Sequence, residues 1–524
     1  MQNSKSDVLI VGAGGAGLVA ALSAHESGAT VRVITKEYAT RSQTCMAQGG
    51  INAALGNAGE DSVDAHIANT LKSAHGIANA KAIELLCSQA PDAVEWLDSI
   101  GVCFSRTEES KIAQRTLGGA SAPRACYAQD YTGLKILHTL YDRCNEANIE
   151  ILDEKFLLNI ESSENSVYGV SVLDIKSGEI EFYEAKSVII ATGGYSRLYD
   201  KYSTNAKGTT GDGLACAIRA GARVSDMEFI QFHPTALKNS SILISESARG
   251  AGGYLLNSKG ERFTNELAPR DEVARAIHYE SMKGEEIFLD IRHLGEKFID
   301  EELPQERKLA KLYENIDPVY DLIPIKPVAH YTMGGIEVNS ESQTSVSGLF
   351  AVGECANHRV HGANRLGGNS LLELVVFGKQ AGTNAAEYAK SKKQKQVPLR
   401  EPKRVFSDSN PEVDFYKVKE NLGELFYKNV GIVRTKESLQ TTLDVVNKER
   451  QRVNLMGVED KSTIYNTNLI EFLEFQNLLE LSSLVLSCAI FREESRGAHY
   501  REDFTKESEA FASHTVIDRD GVVE

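Results

Sequence analysis

The sequence predicts an α/β fold with a Rossmann-like, dinucleotide-binding domain, and three observations lead to this prediction. A strand–glycine–helix–strand pattern occupies residues 7–35. Strand runs that end in glycine return far along the chain, at 187–194 and 348–354. Residues 411–500, in contrast, have long helical periodicity and almost no strand signal. We therefore expect a nucleotide domain that contains an inserted segment and is followed by helices.

The first unit begins with the apolar run DVLIV at 7–11. It continues through a glycine-rich turn into an Ala-rich helical stretch that stops near Gly28. A second β-rich run, TVRVIT at 30–35, completes the unit. Glycines let backbone N–H groups and the helix N-terminus approach a pyrophosphate closely. The residues that we expect to bind a dinucleotide here are Gly12, Gly14, Gly15 and Gly17.

The end of the second strand departs from the common dinucleotide-binding pattern. An acidic residue usually stands there and binds the ribose hydroxyls. This strand ends in Thr35 and Lys36, and Glu37 comes one place later. The sequence leaves open which group binds the adenosine ribose.

The later strand runs define the predicted domain organisation. The strand at 187–194 and the strand–glycine unit at 348–354, which leads into a helix, flank an insertion at about 231–334. The polar, basic segment 391–404 carries two prolines and is interpreted as a linker. Beyond it, 411–500 is expected to be helical.

Composition and charge exclude several function classes. The chain has 524 residues with 57 basic and 73 acidic side chains, and the net charge of −16 disfavours sequence-independent nucleic-acid binding. No apolar run approaches the roughly 20 residues of a membrane helix. The nearest one, 478–491, is interpreted as an amphipathic or buried helix. Because the N-terminus shows no targeting pattern, we expect a cytoplasmic protein.

The eight cysteines are scattered and include no C-x-x-C pair. Zinc and iron–sulfur sites need clustered thiolates. We therefore predict no metal site, and any iron–sulfur centre that takes part in the function must belong to another chain.

Residues suited to anion binding collect in a few motifs. These are QFHPT (231–235), ISESARGAGG (244–253), APRDEVARAI (268–277), KPVAHYTMGGI (326–336) and HGANRLGGNSL (361–371). They place His233, Arg270, His330 and Arg365 on predicted loops rich in Gly and Pro. Arginine binds carboxylates bidentately, so the four together are the set expected for a dianionic substrate. Any one of them alone is more simply explained as a structural residue.

These motifs, with FAVGEC and SRGAHYREDF (495–504), resemble the flavoprotein subunits of the succinate dehydrogenase/fumarate reductase family over almost the whole chain. L-aspartate oxidase is a close relative. The resemblance implies a Rossmann-like FAD-binding domain interrupted by an α+β capping domain and followed by a helical C-terminal domain. Carried onto this sequence, the FAD-binding domain comprises 1–230 and 335–395, the capping domain 231–334 and the C-terminal domain 396–524.

The resemblance also assigns site residues. It implies that Arg270 transfers a proton to the substrate, and that Glu246 and Arg249 reprotonate it from solvent. The carboxylates of the substrate would be bound by His233, Ser245, His330 and Arg365, with serine in place of the usual threonine. The FAD-binding positions would be Gly12, Gly14, Gly15, Gly17, Lys36, Ser42, Gly49, Gly50, Asp212, Glu354, Ser370 and Leu371.

Two positions depart from the family pattern. Gln43 stands where membrane-bound members have the histidine of R-S-H-T, to which the flavin is linked covalently. We therefore predict non-covalent FAD with a lowered potential, which favours fumarate reduction. Leu117 stands where fumarate reductases tend to have phenylalanine and aspartate oxidases a glutamate that would bind the amino group of the substrate.

Three functions follow from these observations. The leading one is fumarate–succinate interconversion by hydride transfer with FAD. An iron–sulfur subunit is the expected partner, and a membrane-anchor subunit is compatible with this function. No nucleic-acid partner is expected. The second is L-aspartate oxidase. The compact segment around APRD and a C-terminus that resembles that of the oxidases favour it. Leu117 argues against it, and so does Met333, where the oxidases typically have cysteine. The third is a non-catalytic flavin-binding subunit.

Overall fold

The computed structural model describes residues 4–392 and 411–518. Its strands are β1 (Ser4–Val11), β2 (Val31–Ile34), β3 (Ile51–Asn52), β4 (Gln114–Arg115), β5 (Ala125–Cys126), β6 (Glu150–Leu152), β7 (Lys155–Ser163), β8 (Ser166–Asp174), β9 (Ile180–Ile190), β10 (Val224–Ser225), β11 (Ile230–Leu237), β12 (Tyr254–Asn257), β13 (Ile287–Asp290), β14 (Ile323–Thr332), β15 (Gly335–Glu337), β16 (Leu349–Ala351), β17 (Ala356–Asn357) and β18 (Val516–Ile517). Its helices are α1 (Gly15–Glu26), α2 (Val63–Ser73), α3 (Ala80–Ser88), α4 (Ala90–Ser99), α5 (Thr132–Glu146), α6 (Asp212–Arg219), α7 (Glu246–Gly250), α8 (Arg270–Met282), α9 (Glu296–Glu302), α10 (Pro304–Glu314), α11 (Asn369–Ser391), α12 (Phe415–Asn429), α13 (Lys436–Gln451) and α14 (Thr467–Phe491).

A parallel sheet with the strand order β6-β2-β1-β9-β16 forms the centre of the nucleotide-binding region. The pairing of β1 with β2 runs from Val8 opposite Val31 to Val11 opposite Ile34. The antiparallel strands β8 and β7 extend the sheet beside the first half of β9. All four strands predicted for this region are present, so the prediction of a Rossmann-like α/β fold is confirmed.

The helices α1 and α11 pack closely against each other beside the parallel sheet. A Cβ atom at Gly382 of α11 would lie 2.3 Å from the carbonyl oxygen of Ala20, so glycine is what permits this approach. The predicted end of α1 is also correct. The N–H of Gly28 donates to the carbonyl oxygen of His25 at 2.8 Å, and its φ of +80° turns the chain out of the helix.

Between β10 and β15 the chain leaves the parallel sheet and forms an antiparallel sheet with the order β11-β14-β13-β12. The helices α7 to α10 accompany it. A separate apolar core, which includes Leu255, Val273, Leu289 and Ile323, fills this segment. It corresponds to the predicted insertion, whose limits at 231 and 334 stay a prediction.

The helices α12, α13 and α14 form the predicted helical region after residue 411. Among the described residues, α14 is the one helix that is long and apolar enough to cross a membrane, by length and composition alone. However, 67% of its most apolar window is buried inside the protein, as the prediction for 478–491 requires. Residues 393–404 of the predicted linker lie outside the described residues.

Candidate functional site

A single cleft runs from the glycine-rich turn after β1 to the antiparallel sheet of the inserted segment. Its empty volume, which includes its opening to solvent, is about 1610 Å³. Most predicted cofactor residues line it, namely Gly12, Gly14, Gly15, Lys36, Ser42, Gly49, Gly50, Asp212, Glu354, Ser370 and Leu371. So do the predicted substrate and proton-transfer residues His233, Ser245, Glu246, Arg270, His330 and Arg365. The two groups therefore share one cavity, whereas Gly17 and Arg249 do not line it.

The glycine-rich turn brings the start of α1 directly against β1 and β9. Gly12 has a φ of +112°, and a Cβ atom there would lie 2.2 Å from the carbonyl oxygen of Ala191. A Cβ atom at Gly17 would lie 1.9 Å from the carbonyl oxygen of Gly12. The first turn of α1 consequently lines the cleft, where its N-terminus suits a pyrophosphate. This cradle, which any side chain would fill, fits a dinucleotide such as FAD.

Replacing Gly17 by alanine is expected to lower the free energy of unfolding by about 2 kcal/mol, because the added methyl group must displace backbone. We expect a lower flavin content as well, since the turn must open. Thermal unfolding and the flavin-to-protein absorbance ratio measure both effects. Gly14→Ala is the control, because the atom nearest to a Cβ there is the Thr44 hydroxyl oxygen at 3.7 Å. Equal melting temperatures for the two variants would contradict the steric role of Gly17.

Lys36, just after β2, is the centre of an ionic network at the cleft. Its ammonium group donates to Asp212 and to Glu474 of α14, each at 2.6 Å. Burial alone would lower the pKa of Lys36, but the two carboxylates outweigh it and raise that pKa. The amide of Asn477 donates to the other oxygen of Asp212 at 2.8 Å. Lys36 is therefore an ion-pair partner, and Glu37 is the acidic residue beside it that also lines the cleft.

Polar groups from two further elements line the cleft. Glu354 is half-buried and accepts hydrogen bonds from the N–H of Thr332 at 2.9 Å and from its hydroxyl at 3.2 Å. Burial raises the pKa of Glu354 to about 7. Ser370 and Leu371 lie in the first turn of α11. The Ser42 hydroxyl is buried without a hydrogen-bond partner among the described residues, and a polar ligand in the cleft would satisfy it.

The two predicted substrate histidines lie on neighbouring strands. His233 is in β11 and His330 in β14, with ring centroids 4.9 Å apart. The prediction of loops for these two residues is wrong, because Pro234 falls at an irregularity in the β11–β14 pairing, where proline is compatible with a strand. Arg270 is the first residue of α8, so the prediction of a loop is wrong for this residue too, whereas Arg365 does lie in the loop before α11.

Gln231 holds the two cleft arginines together, although the sequence alone did not single it out. Its Oε1 atom accepts from Arg270 Nη1 at 3.0 Å and from Arg365 Nη2 at 3.2 Å. Its Nε2 atom donates to Asn364 Oδ1 and to the carbonyl oxygen of Arg365, at 2.7 and 2.8 Å. The only signal for this role was its position at the head of QFHPT. One amide oxygen thus orients two guanidinium groups in the same part of the cleft.

Both histidines are neutral at neutral pH. Burial lowers the pKa of His233 and of His330 well below the ordinary value, and the charge of Arg270 lowers both further. The N–H of Thr235 donates to His233 Nδ1 at 3.3 Å, so Nε2 carries the hydrogen. His330 Nδ1 contacts the Thr204 hydroxyl at 2.7 Å. The histidine pair therefore provides hydrogen bonds and no further charge.

Glu246 connects Arg270 to Arg249. Its Oε2 atom accepts from Arg270 Nε at 2.9 Å and Nη2 at 2.6 Å. Its Oε1 atom accepts from the N–H of Gly118 at 2.8 Å and lies 3.5 Å from Arg249 Nη2. Burial alone would raise the pKa of Glu246, but the two arginines lower it below its ordinary value. The three residues named for proton transfer are thus contiguous.

Ser245 and Leu117 complete the cleft wall near the arginines. Ser245 is the N-cap of α7, and its hydroxyl accepts from the N–H of Ser247 at 3.2 Å. Its own N–H donates to Glu306 at 2.9 Å. Leu117 is buried, and its side chain approaches Gly49, so it presents hydrocarbon to the cleft. A substrate ammonium would find no charge partner in this side chain.

The inserted segment is fastened over the cleft by contacts at α9 and α10. Asp130 accepts from the N–H groups of Gln305 and Glu306 at 2.7 and 3.1 Å. Gln129 Nε2 donates to the carbonyl oxygen of Glu301 at 2.9 Å. Burial raises the pKa of Asp130 to about 6. These bonds join the loop before α5 directly to the segment that carries Arg270.

The cysteines are free and dispersed. Within residues 4–392 and 411–518, no group of three or more His, Cys, Asp or Glu side chains is arranged to hold a metal ion.

Known proteins match the chain over its whole length. The family described as "FAD binding domain" matches residues 7–371, and the one described as "Fumarate reductase flavoprotein C-term" matches residues 419–523. The chain is 38% identical to the succinate dehydrogenase flavoprotein subunit of Rickettsia bellii, covering 99% of this chain and 94% of that one. It is 39% identical to the 8-methylmenaquinol:fumarate reductase flavoprotein subunit of Wolinella succinogenes, covering 98% and 88%.

The fold of the chain also matches that of a solved structure closely. A solved structure of an E. coli quinol fumarate reductase FrdA variant superposes with a TM-score of 0.94 at 35% identity, covering 100% of this chain and 96% of that one. Combined with the dinucleotide cradle, these matches show that the chain is an FAD-binding oxidoreductase and belongs to the family of succinate dehydrogenase and fumarate reductase flavoprotein subunits.

Proposed function

We propose that this protein interconverts fumarate and succinate, with FAD as its redox cofactor. The observation that carries the proposal is the pair of guanidinium groups of Arg270 and Arg365, which share the Gln231 amide oxygen beside two neutral histidines. A dicarboxylate needs positive charge or hydrogen-bond donors at both ends, and this set supplies both.

The side chains divide the chemistry between them. Arg365, His233 and His330, with the Ser245 hydroxyl, bind the two carboxylates and draw electron density from the alkene, which makes one of its carbons electrophilic. When bound, FAD supplies the two-electron hydride chemistry that these side chains cannot. The inserted segment excludes water from the reacting groups and so strengthens every charge interaction among them.

Arg270 supplies the proton to the other alkene carbon. Arginine is an unusual acid because its ordinary pKa lies above about 12. The buried carboxylate of Glu246, which contacts two nitrogens of Arg270, accepts a proton from Arg249 and passes it on. Each turnover of fumarate thus takes one proton through Glu246, and succinate oxidation runs the same steps in reverse.

We assign residues 1–230 and 335–395 to the FAD-binding domain, 231–334 to the capping domain and 396–524 to the C-terminal domain. The twelve cofactor positions named from the sequence would hold FAD, with Gly12 and Gly17 as the turn that admits its pyrophosphate. We also infer an iron–sulfur partner subunit and a cytoplasmic chain that reaches a membrane only through its partners. Their support is that the relatives are named as flavoprotein subunits of dehydrogenases and reductases.

Non-covalent FAD is a direct consequence of Gln43. Its amide oxygen accepts from the N–H of Ala206 at 2.7 Å, and the side chain lines the cleft. An amide does not form the carbon–nitrogen bond that an imidazole forms with the flavin. Acid precipitation of the wild-type protein is therefore expected to leave all of the flavin in the supernatant. In Gln43→His, a yellow pellet would show that an imidazole at this position is all that the site lacks for covalent attachment of the flavin. A yellow pellet of wild-type protein would contradict the prediction.

The function itself is tested by two anaerobic absorbance titrations. The chemically reduced protein is mixed with fumarate, and we expect rapid return of the oxidised flavin spectrum. The oxidised protein is titrated with L-aspartate, and we expect no bleaching, because Leu117 leaves the amino group without a partner. Bleaching by L-aspartate would establish the oxidase instead. No response to fumarate in protein with full flavin content would favour a non-catalytic subunit.

A further inference from the structure

The proton path described above does not reach solvent. Arg249, its outermost member, has a side chain that is 0% exposed, and Glu246 is 1% exposed. Arg249 Nε and Nη2 have no hydrogen-bond partner among the described residues, although they are buried. A proton that must enter from water in every turnover therefore needs at least one more group beyond Arg249.

Glu266 is the residue that bridges Arg249 and the surface. Its carbonyl oxygen accepts from Arg249 Nη1. Its carboxylate, which is 6% exposed, is clamped by Arg262, with Nε–Oε1 and Nη2–Oε2 distances of 2.9 and 2.7 Å. The N–H of Leu255 also donates to this carboxylate, at 3.1 Å. Arg262 is 55% exposed, so its guanidinium group meets water.

Glu266 affects Arg249 in two ways, through the hydrogen bond to its carbonyl oxygen and through the negative charge of its carboxylate. Burial and the positive charge of Arg270 lower the pKa of Arg249, and the negative charges of Glu246 and Glu266 act in the opposite direction. Arg262 in turn neutralises Glu266. Burial alone would raise the pKa of Glu266, but Arg262 and the Leu255 N–H lower it. By neutralising Glu266, the exposed Arg262 reduces the extent to which Glu266 raises the pKa of Arg249.

We propose that Glu266 and Arg262 form the solvent end of the proton path, where they position Arg249 and control its reprotonation. This inference rests on the proposed function. After Arg249 passes a proton to Glu246, it is left neutral and takes one proton from water at the Glu266–Arg262 pair. One proton enters per fumarate reduced, and no electron moves in this step. Both residues are positioning residues, since neither touches the substrate.

Two substitutions with opposite expected effects test the proposal. Glu266→Gln removes the negative charge and keeps the shape, so kcat for fumarate reduction at pH 8 is expected to fall about tenfold. This loss is smaller than the roughly 100-fold or more of a lost general acid, because Arg249 itself remains. The alkaline limb of the kcat–pH profile should move to lower pH, with KM unchanged. Arg262→Gln leaves Glu266 with its full charge, so the same limb should move to higher pH. A reduced viologen serves as the electron donor for all proteins.

Glu261→Gln is the matched control, because Glu261 is exposed, adjoins Arg262 and accepts from Asn257 instead. Its pH profile should match that of the wild type. The proposal is overturned if Glu266→Gln retains flavin and the wild-type profile. If that variant does not fold, an unchanged limb in Arg262→Gln, at an exposed position, overturns it. Failure of the wild-type protein to reduce fumarate would instead remove the proposed function.

Discussion

Replacing Arg270 by lysine is expected to lower kcat for fumarate reduction about 1,000-fold, the scale of a lost general acid. Lysine keeps a positive charge at the cleft, but one ammonium group cannot reproduce the two contacts to Glu246 and the one to Gln231. The proton donor is then out of place, whereas attraction of the substrate is largely retained. Steady-state kinetics should show a small change in KM beside the large loss in kcat.

Arg275→Lys is the control for this variant. Arg275 lies on the same helix, α8, but pairs with Asp271 at 2.8 Å and donates to the carbonyl oxygen of Gly497. We expect activity close to that of the wild type. If Arg270→Lys retained more than a tenth of the wild-type kcat, or if both variants lost activity equally, proton transfer by Arg270 would be ruled out.

Replacing Arg365 by glutamine is expected to weaken dicarboxylate binding about 100-fold, because a buried carboxylate loses its charged partner. Burial and the charge of Arg270 lower the pKa of Arg365 to about 10, so this group is cationic at neutral pH. It stacks 4.2 Å from the centroid of the Tyr331 ring, which orients the guanidinium plane. Titration of the oxidised protein with malonate, a dicarboxylate that has no CH2–CH2 bond to oxidise, measures the affinity through the perturbation of the flavin spectrum.

The matched control is Arg359→Gln. Arg359 lies six residues earlier and pairs with Glu337 outside the cleft, so its removal should leave the affinity for malonate unchanged. Arg365→Gln and Arg270→Lys together should separate binding from proton transfer, since the first raises KM and the second lowers kcat. An unchanged affinity in Arg365→Gln would exclude its role as a carboxylate ligand.

The elements that the sequence predicted correctly are those whose signal is local. The glycine-rich turn between β1 and α1 needs only a short stretch of chain to be recognised, and Gly12 and Gly17 have the contacts that the pattern implies. The helix α14 was predicted from composition in the same way. The positions of His233 and His330 on strands were missed, because Gly and Pro nearby suggested loops while the pairing of β11 with β14 spans about a hundred residues.

The missed site residues depend on contacts that no local pattern reveals. Gln231 owes its role to two arginines from other elements, and a glutamine alone carries no signal for that. The sequence named Lys36 as a cofactor residue but not its partner Glu474, which lies 438 residues further along the chain. The sequence likewise does not predict that Glu306 is buried beside Ser245. This burial depends on the packing of α10 against the loop that contains Asp130.

The bond from Glu474 to Lys36 has a consequence for how the protein is made. A ribosome finishes the glycine-rich turn first, but the cleft gains its full set of charges only after α14 has been synthesised and has docked. We therefore expect cofactor loading to be a late event in biogenesis. By thermodynamic linkage, FAD stabilises the docked form of α14 to the same extent that docking tightens FAD. We expect a chain truncated before α14 to lack the yellow colour of bound FAD as well as α14 itself.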